Sequence, residues 1–161
     1  MFSLPTPPPF EGMHPLVVHL PIGVLVIVPL FILLAIVFKQ NAKNFTLTAA
    51  ILSWIGTIGA IVAVITGQAA ITMVMDHSPE LNAVMQDHVA LALMTRNLFI
   101  VYSIFYTAFT YFLLRDKVKP SLSLILQIVF LVFLGICILG LINTGHLGAT
   151  IVHHFGVQSI M

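Results

Sequence analysis

Residues 15–38 read PLVVHLPIGVLVIVPLFILLAIVF, an apolar run without Asp, Glu, Lys or Arg. A bilayer's hydrocarbon core is about 30 Å thick, and a helix rising about 1.5 Å per residue crosses it in roughly 20 residues, so this run is long enough to span. Three more follow, at roughly 47–75, 88–114 and 122–142, separated by the polar stretches KQNAKN (39–44), DHSPELNAVMQD (76–87) and RDKVK (115–119). The fold class read from this is all-α: an integral membrane four-helix bundle, one domain over 1–161, with an outer-side C-terminal tail at 143–161 too polar and glycine-rich for a fifth span. Composition agrees. At 60% hydrophobic, 7% charged and a mean hydropathy of +1.12, the chain lacks the polar residues to cover a soluble domain.

The proline-rich start (Pro5, Pro7, Pro8, Pro9) reads as an extended lead-in. No basic region precedes an apolar stretch there, so the first spanning helix is expected to act as its own insertion signal rather than follow a cleavable one. Pro15 suits a first helical turn, and Pro29, in mid-span, predicts a kink.

Orientation follows from the basic residues. Lys39 and Lys43 lie in the first loop, and Arg115, Lys117 and Lys119 in the third. The positive-inside rule makes that end cytoplasmic and puts both termini on the outer, periplasmic side of a bacterial inner membrane, with Glu11, Asp76, Glu80 and Asp87. A formal net charge of +1 gives no electrostatic footing for nucleic acid. A lone cysteine, Cys137, forms no intramolecular disulfide, and without a Cys-x-x-Cys-His run any haem is held non-covalently.

All seven histidines, His14, His19, His77, His88, His146, His153 and His154, fall toward the outer end. A single interfacial histidine is ordinarily a solvated or capping residue, and His77 reads so. Seven at one end point further, because imidazole is the usual nitrogen ligand of haem iron and transition metals. His19 lies five residues, about 7.5 Å, beyond His14 and is expected to face protein. His88 opens the third helix, and His146 sits within Gly145-His146-Leu147-Gly148. His153 and His154 are about 100° apart on a helix, so one of them is expected at a shared site. Arg96, eight residues or about 12 Å inside from His88, reads as a buried cation in want of a partner; a haem propionate, an anionic substrate or freed carbonyls would serve. The candidate cofactor-binding set is thus His14, His19, His88, Arg96, His146 and His154. The picks for axial ligands are His19, His88, His146 and His154, with His14 in reserve.

Other patterns have plainer readings. Gly56, Gly59, Ala63 and Gly67 form a small-residue stripe suited to close helix packing. Tyr102 and Tyr106 share a helix face, and Tyr111 fits an aromatic belt. Met73, Met75 and Met85 near the second loop offer thioethers to copper, but methionine is more often apolar filler.

The stretch Met13-His14-Pro15-Leu16-Val17-Val18-His19-Leu20-Pro21-Ile22-Gly23 resembles the H-P-x-x-V-H-x-P-I-G opening of a bacterial four-helix membrane family, the DUF2231 domain. Asp87-His88-Val89-Ala90-Leu91-Ala92 resembles that family's histidine at the start of helix three. Gly145-His146-Leu147-Gly148 through His154-Phe155-Gly156-Val157 resembles its closing pattern, with Ala149 where a second glycine is common. Some relatives join such a domain to a cytochrome c-like domain, and the resemblance therefore implies a place in electron transfer, with electrons passing here to a separate partner.

The leading expectation is a b-type cytochrome-like protein holding one or two haem b groups near the periplasmic face, between a membrane quinone and a periplasmic cytochrome or other respiratory-complex subunits. The alternatives are a zinc or copper binding or transport protein drawing on Asp76, Glu80, Asp87 and the nearby methionines, and a non-catalytic anchoring subunit. Transport is the weaker form, since the inner half of the bundle reads as poor in polar residues. Oligomeric state and enzymatic activity stay open, and no serine, cysteine or paired carboxylate suggests hydrolase chemistry.

Overall fold

A computed structural model describes residues 8–74 and 78–157. After a 3₁₀ turn at Phe10–Gly12 come α1 (His14–Val17), α2 (His19–Val37), a 3₁₀ turn at Lys39–Asn41, α3 (Ala42–Ile71), α4 (Pro79–Leu114) and α5 (Pro120–His153). With α1 and α2 counted as one span, four helices are long and apolar enough to cross a membrane. The chain is therefore a multi-pass protein of the lipid bilayer. The broadest interfaces are α2 with α3, α4 with α5 and α3 with α4, and a narrower α2–α5 contact closes the bundle.

A heptad-like seam explains the packing. On α2 the buried positions are Pro21, Leu25, Val28, Ile32 and Ala35. On α4 they include Leu81, Met85, Thr95, Phe99, Tyr102, Tyr106, Phe109 and Leu113. On α5 they are Gln127, Leu134 and Cys137. Spacings of three and four keep one stripe of each helix inward, while Leu33, Ile58, Phe105, Val132 and Leu139 remain exposed to lipid. Where two helices press closest, α3 offers glycine: a Cβ on Gly56 would fall 2.4 Å from Leu25 Cγ.

The helix limits differ from the sequence expectation in informative ways. The first span has a one-residue irregularity at Val18, where the backbone stays helical (φ −62°, ψ −25°) and Pro21 has no N–H for the Val17 carbonyl. Pro29, where a kink is expected, lies inside α2. The second helix begins at Ala42 instead of 47. The third begins at Pro79, not His88: Ser78 caps it, its Oγ accepting from Leu81 N at 3.3 Å, with proline at the first helical position and Glu80 in the first turn. The fourth continues through the expected tail to His153. Gly156, with φ of 68°, then turns the chain.

At the basic end Asp116 takes the left-handed conformation, φ 55°. Lys117 N donates to Phe112 O at 3.0 Å and Asp116 N to Leu113 O at 3.2 Å, a Schellman closure of α4. Lys43 pairs with Asp116 at 2.7 Å, tying the first and third loops together.

The half of the bundle nearer this end is more polar than its hydropathy suggests. Gln127 Nε2 donates to Thr46 Oγ1 at 2.6 Å, and Tyr106 OH donates to Gln127 Oε1 at 3.2 Å. Further along, Thr57 Oγ1 and Ser103 Oγ are 2.9 Å apart. The Tyr102 hydroxyl is buried in this same stretch. Since the other groups satisfy one another across helices, they act as interhelical ties.

Candidate functional site: a histidine pair at one end of the bundle

Two of the histidines lie on the inward seam. His14 is seven residues before Pro21, so it continues the buried stripe of α2. His88 fits the α4 series between Met85 and Thr95. Their rings accordingly lie side by side, edge toward face, with centroids 6.5 Å apart and planes at 83°.

Each ring is held through Nδ1. His14 Nδ1 lies 2.9 Å from Ala63 O and 3.3 Å from Thr66 Oγ1, and His88 Nδ1 lies 3.0 Å from Thr144 O. A carbonyl can only accept, so Nδ1 carries the proton in both. In the neutral rings Nε2 then keeps its lone pair, the form that ligates metals. Glycines make room: a Cβ on Gly67 would stand 2.9 Å from His14 Cε1, and one on Gly148 3.2 Å from His88 Cε1. The stripe on α3 thus serves packing at Gly56 and seats a histidine at Gly67.

The remaining sequence candidates stand apart from this pair. His19 is exposed, its Nδ1 donating to Pro15 O at 2.6 Å, and it falls off the seam where it was expected to face protein. His146 and His153 near the C-terminal end of α5, and His154 just after it, are exposed, and with Ala149 and Thr150 they line a shallow open depression. Neither His153 nor His154 turns to the pair. Arg96 is half-buried, and its Nε and an Nη donate to Asn97 Oδ1 at 3.2 and 3.0 Å. Arg96 is thus half-buried where the sequence predicts a buried cation.

Among the described residues no group of three or more His, Cys, Asp or Glu is placed to hold a metal ion. Glu80 and Asp87 are exposed, Met73 is exposed and Met85 is core. His77, Asp76 and Met75 lie outside the described residues.

The family model described as "Predicted membrane protein (DUF2231)" matches residues 11–160. The chain belongs to the DUF2231 family. Both seam histidines fall within the matched region, as do all the helices from α1 to α5. No curated protein and no solved structure matches the chain.

Proposed function

We propose that this DUF2231 protein is a b-type cytochrome-like electron-transfer protein whose haem iron is held by His14 and His88. The observation that carries the reading is the neighbouring pair itself. With a metal–nitrogen bond of about 2.0–2.1 Å and the nitrogen about 1.1 Å from its ring centre, two imidazoles that share one ion would have centroids up to about 6.2–6.4 Å apart. Here they are 6.5 Å apart. The donor chemistry fits as well: the Ala63 and Thr144 carbonyls fix the rings and make Nε2 more basic, as carbonyl partners of ligating histidines do.

One pair supports one haem, so His19, His146 and His154 leave the ligand set in this reading. A bound haem supplies one-electron chemistry; the chain's own residues hold the iron and set ring orientation. The basic loops at the opposite end favour placing the pair at the periplasmic side of a bacterial inner membrane, with a quinol as donor and a separate periplasmic acceptor.

The test is the visible spectrum of protein produced with ample haem, oxidised and dithionite-reduced. A Soret band lost in His14→Ala and in His88→Ala, but retained in His19→Ala and His146→Ala, is the expected result. No Soret band in the unaltered protein refutes the haem. Stoichiometric copper or zinc in its place, lost in the same two variants, would assign the pair to a bare metal ion instead.

A further inference from the structure

We propose that the basic end of the bundle binds the headgroup of an anionic phospholipid in the cleft beneath the α2–α3 turn. The cleft exists because α2 stops at Val37: Phe38 leaves the helical conformation (φ −97°, ψ 73°), and a 3₁₀ turn intervenes before α3. It has a volume of about 410 Å³ and is lined by Val37, Phe38, Lys39, Gln40 and Asn41. Its chemistry is graded along the chain. Val37 and Phe38 are 67% and 54% exposed and suit acyl chains, while Lys39, Gln40 and Asn41 offer a cation and amides to a phosphodiester.

Charge selects the anionic class. Lys39, Lys43, Arg115, Lys117 and Lys119 share this end with a single carboxylate, Asp116. Asp116 is taken by Lys43 at 2.7 Å, and among the described residues the other four cations have no ion pair. Arg115 rests over the Tyr111 ring, 5.2 Å from its centroid. Lys39 alone of these cations lines the cleft. Basic pockets beside spanning helices hold acidic lipid headgroups, each nearby cation contributing about fivefold in affinity. The inference stands apart from the haem reading and uses none of its residues.

The test compares retention of phosphatidylglycerol and phosphatidylcholine by the purified full chain in native mass spectrometry, with Lys39→Gln and Lys43→Gln as variants of equal charge change. Phosphatidylglycerol should be retained over phosphatidylcholine, and Lys39→Gln should lower its retention about fivefold. Lys43→Gln, at a lysine outside the cleft, should lower it less than about twofold, and Lys39→Arg should restore it. Equal retention of the two lipids, or equal losses in the two glutamine variants, overturns the site. Displacement of the lipid by glycerol phosphate alone would also overturn it, showing a free-phosphate site in its place.

Discussion

Gly56→Ala tests whether the α2–α3 interface is as tight as the packing requires. The added methyl would lie 2.4 Å from Leu25 Cγ and 2.5 Å from Cδ2. Carbon atoms rest about 3.5–4.0 Å apart, so Leu25 or the helix must retreat by about 1 Å. Leu25 is 0% exposed, so any retreat displaces other core atoms. Overpacking of this kind costs about 1–3 kcal/mol. Alanine also favours a helix over glycine by up to about 1 kcal/mol, which would mask part of that cost. Gly23→Ala removes the ambiguity. It makes the same chemical change on α2 with nothing within 4 Å of the new Cβ, so it gains the helical preference without the clash. The difference between the two variants isolates the clash and should be about 1–3 kcal/mol. Reversible unfolding in mixed SDS micelles can be followed through Trp54, the only tryptophan, whose Nε1 donates to Thr107 Oγ1 at 2.8 Å across α3–α4. Equal stability of Gly56→Ala and Gly23→Ala would refute the close approach.

Gln127→Leu removes the amide that joins Thr46 and Tyr106. Interhelical hydrogen bonds in membranes average about 0.6 kcal/mol, so loss of the two bonds should cost about 1 kcal/mol in the same unfolding assay. In that background Tyr106→Phe should then cost almost nothing, the double-mutant signature of a shared network; additive losses would contradict it. Gly67→Ala should push the His14 ring off its seat and lower haem retention about tenfold, the lower bound for disturbing a ligand's supporting contacts. Gly135→Ala, with nothing within 4 Å of its Cβ, should leave retention unchanged, and equal behaviour of the two variants would remove the glycine cradle from the argument.

The number of spans, and the gathering of basic residues at one end, are legible from hydropathy and charge alone, because lipid imposes length and apolarity on every crossing segment. The α4 start was missed although Ser78-Pro79-Glu80, a capping residue followed by proline and an acid, marks it; the polar residues from Asn82 to Asp87 hid it because a helix outside the lipid need not be apolar. The site was harder. Depth favoured His19 over His14, but register decides which way a ring faces: His14 lies seven residues before Pro21 on the buried stripe, while His19 falls between seam positions. The same test separates His88, in step with Met85 and Thr95, from His146, out of step with the adjacent seam residue Thr144. The Thr46–Gln127–Tyr106 tie was invisible because isolated hydroxyls and amides barely lower the hydropathy of an apolar run.

The two neighbouring histidines are mounted on unequal supports. His88 is set within a helix of 36 residues, with backbone bonding on both sides. His14 opens its span, where the backbone stays helical through Val18 and Pro21 offers no amide to the Val17 carbonyl. A ligand gripping both rings would therefore act as a clasp, stapling the end of one span to the interior of another, and the energetic response to losing that ligand would concentrate in the first turn of the chain's first span.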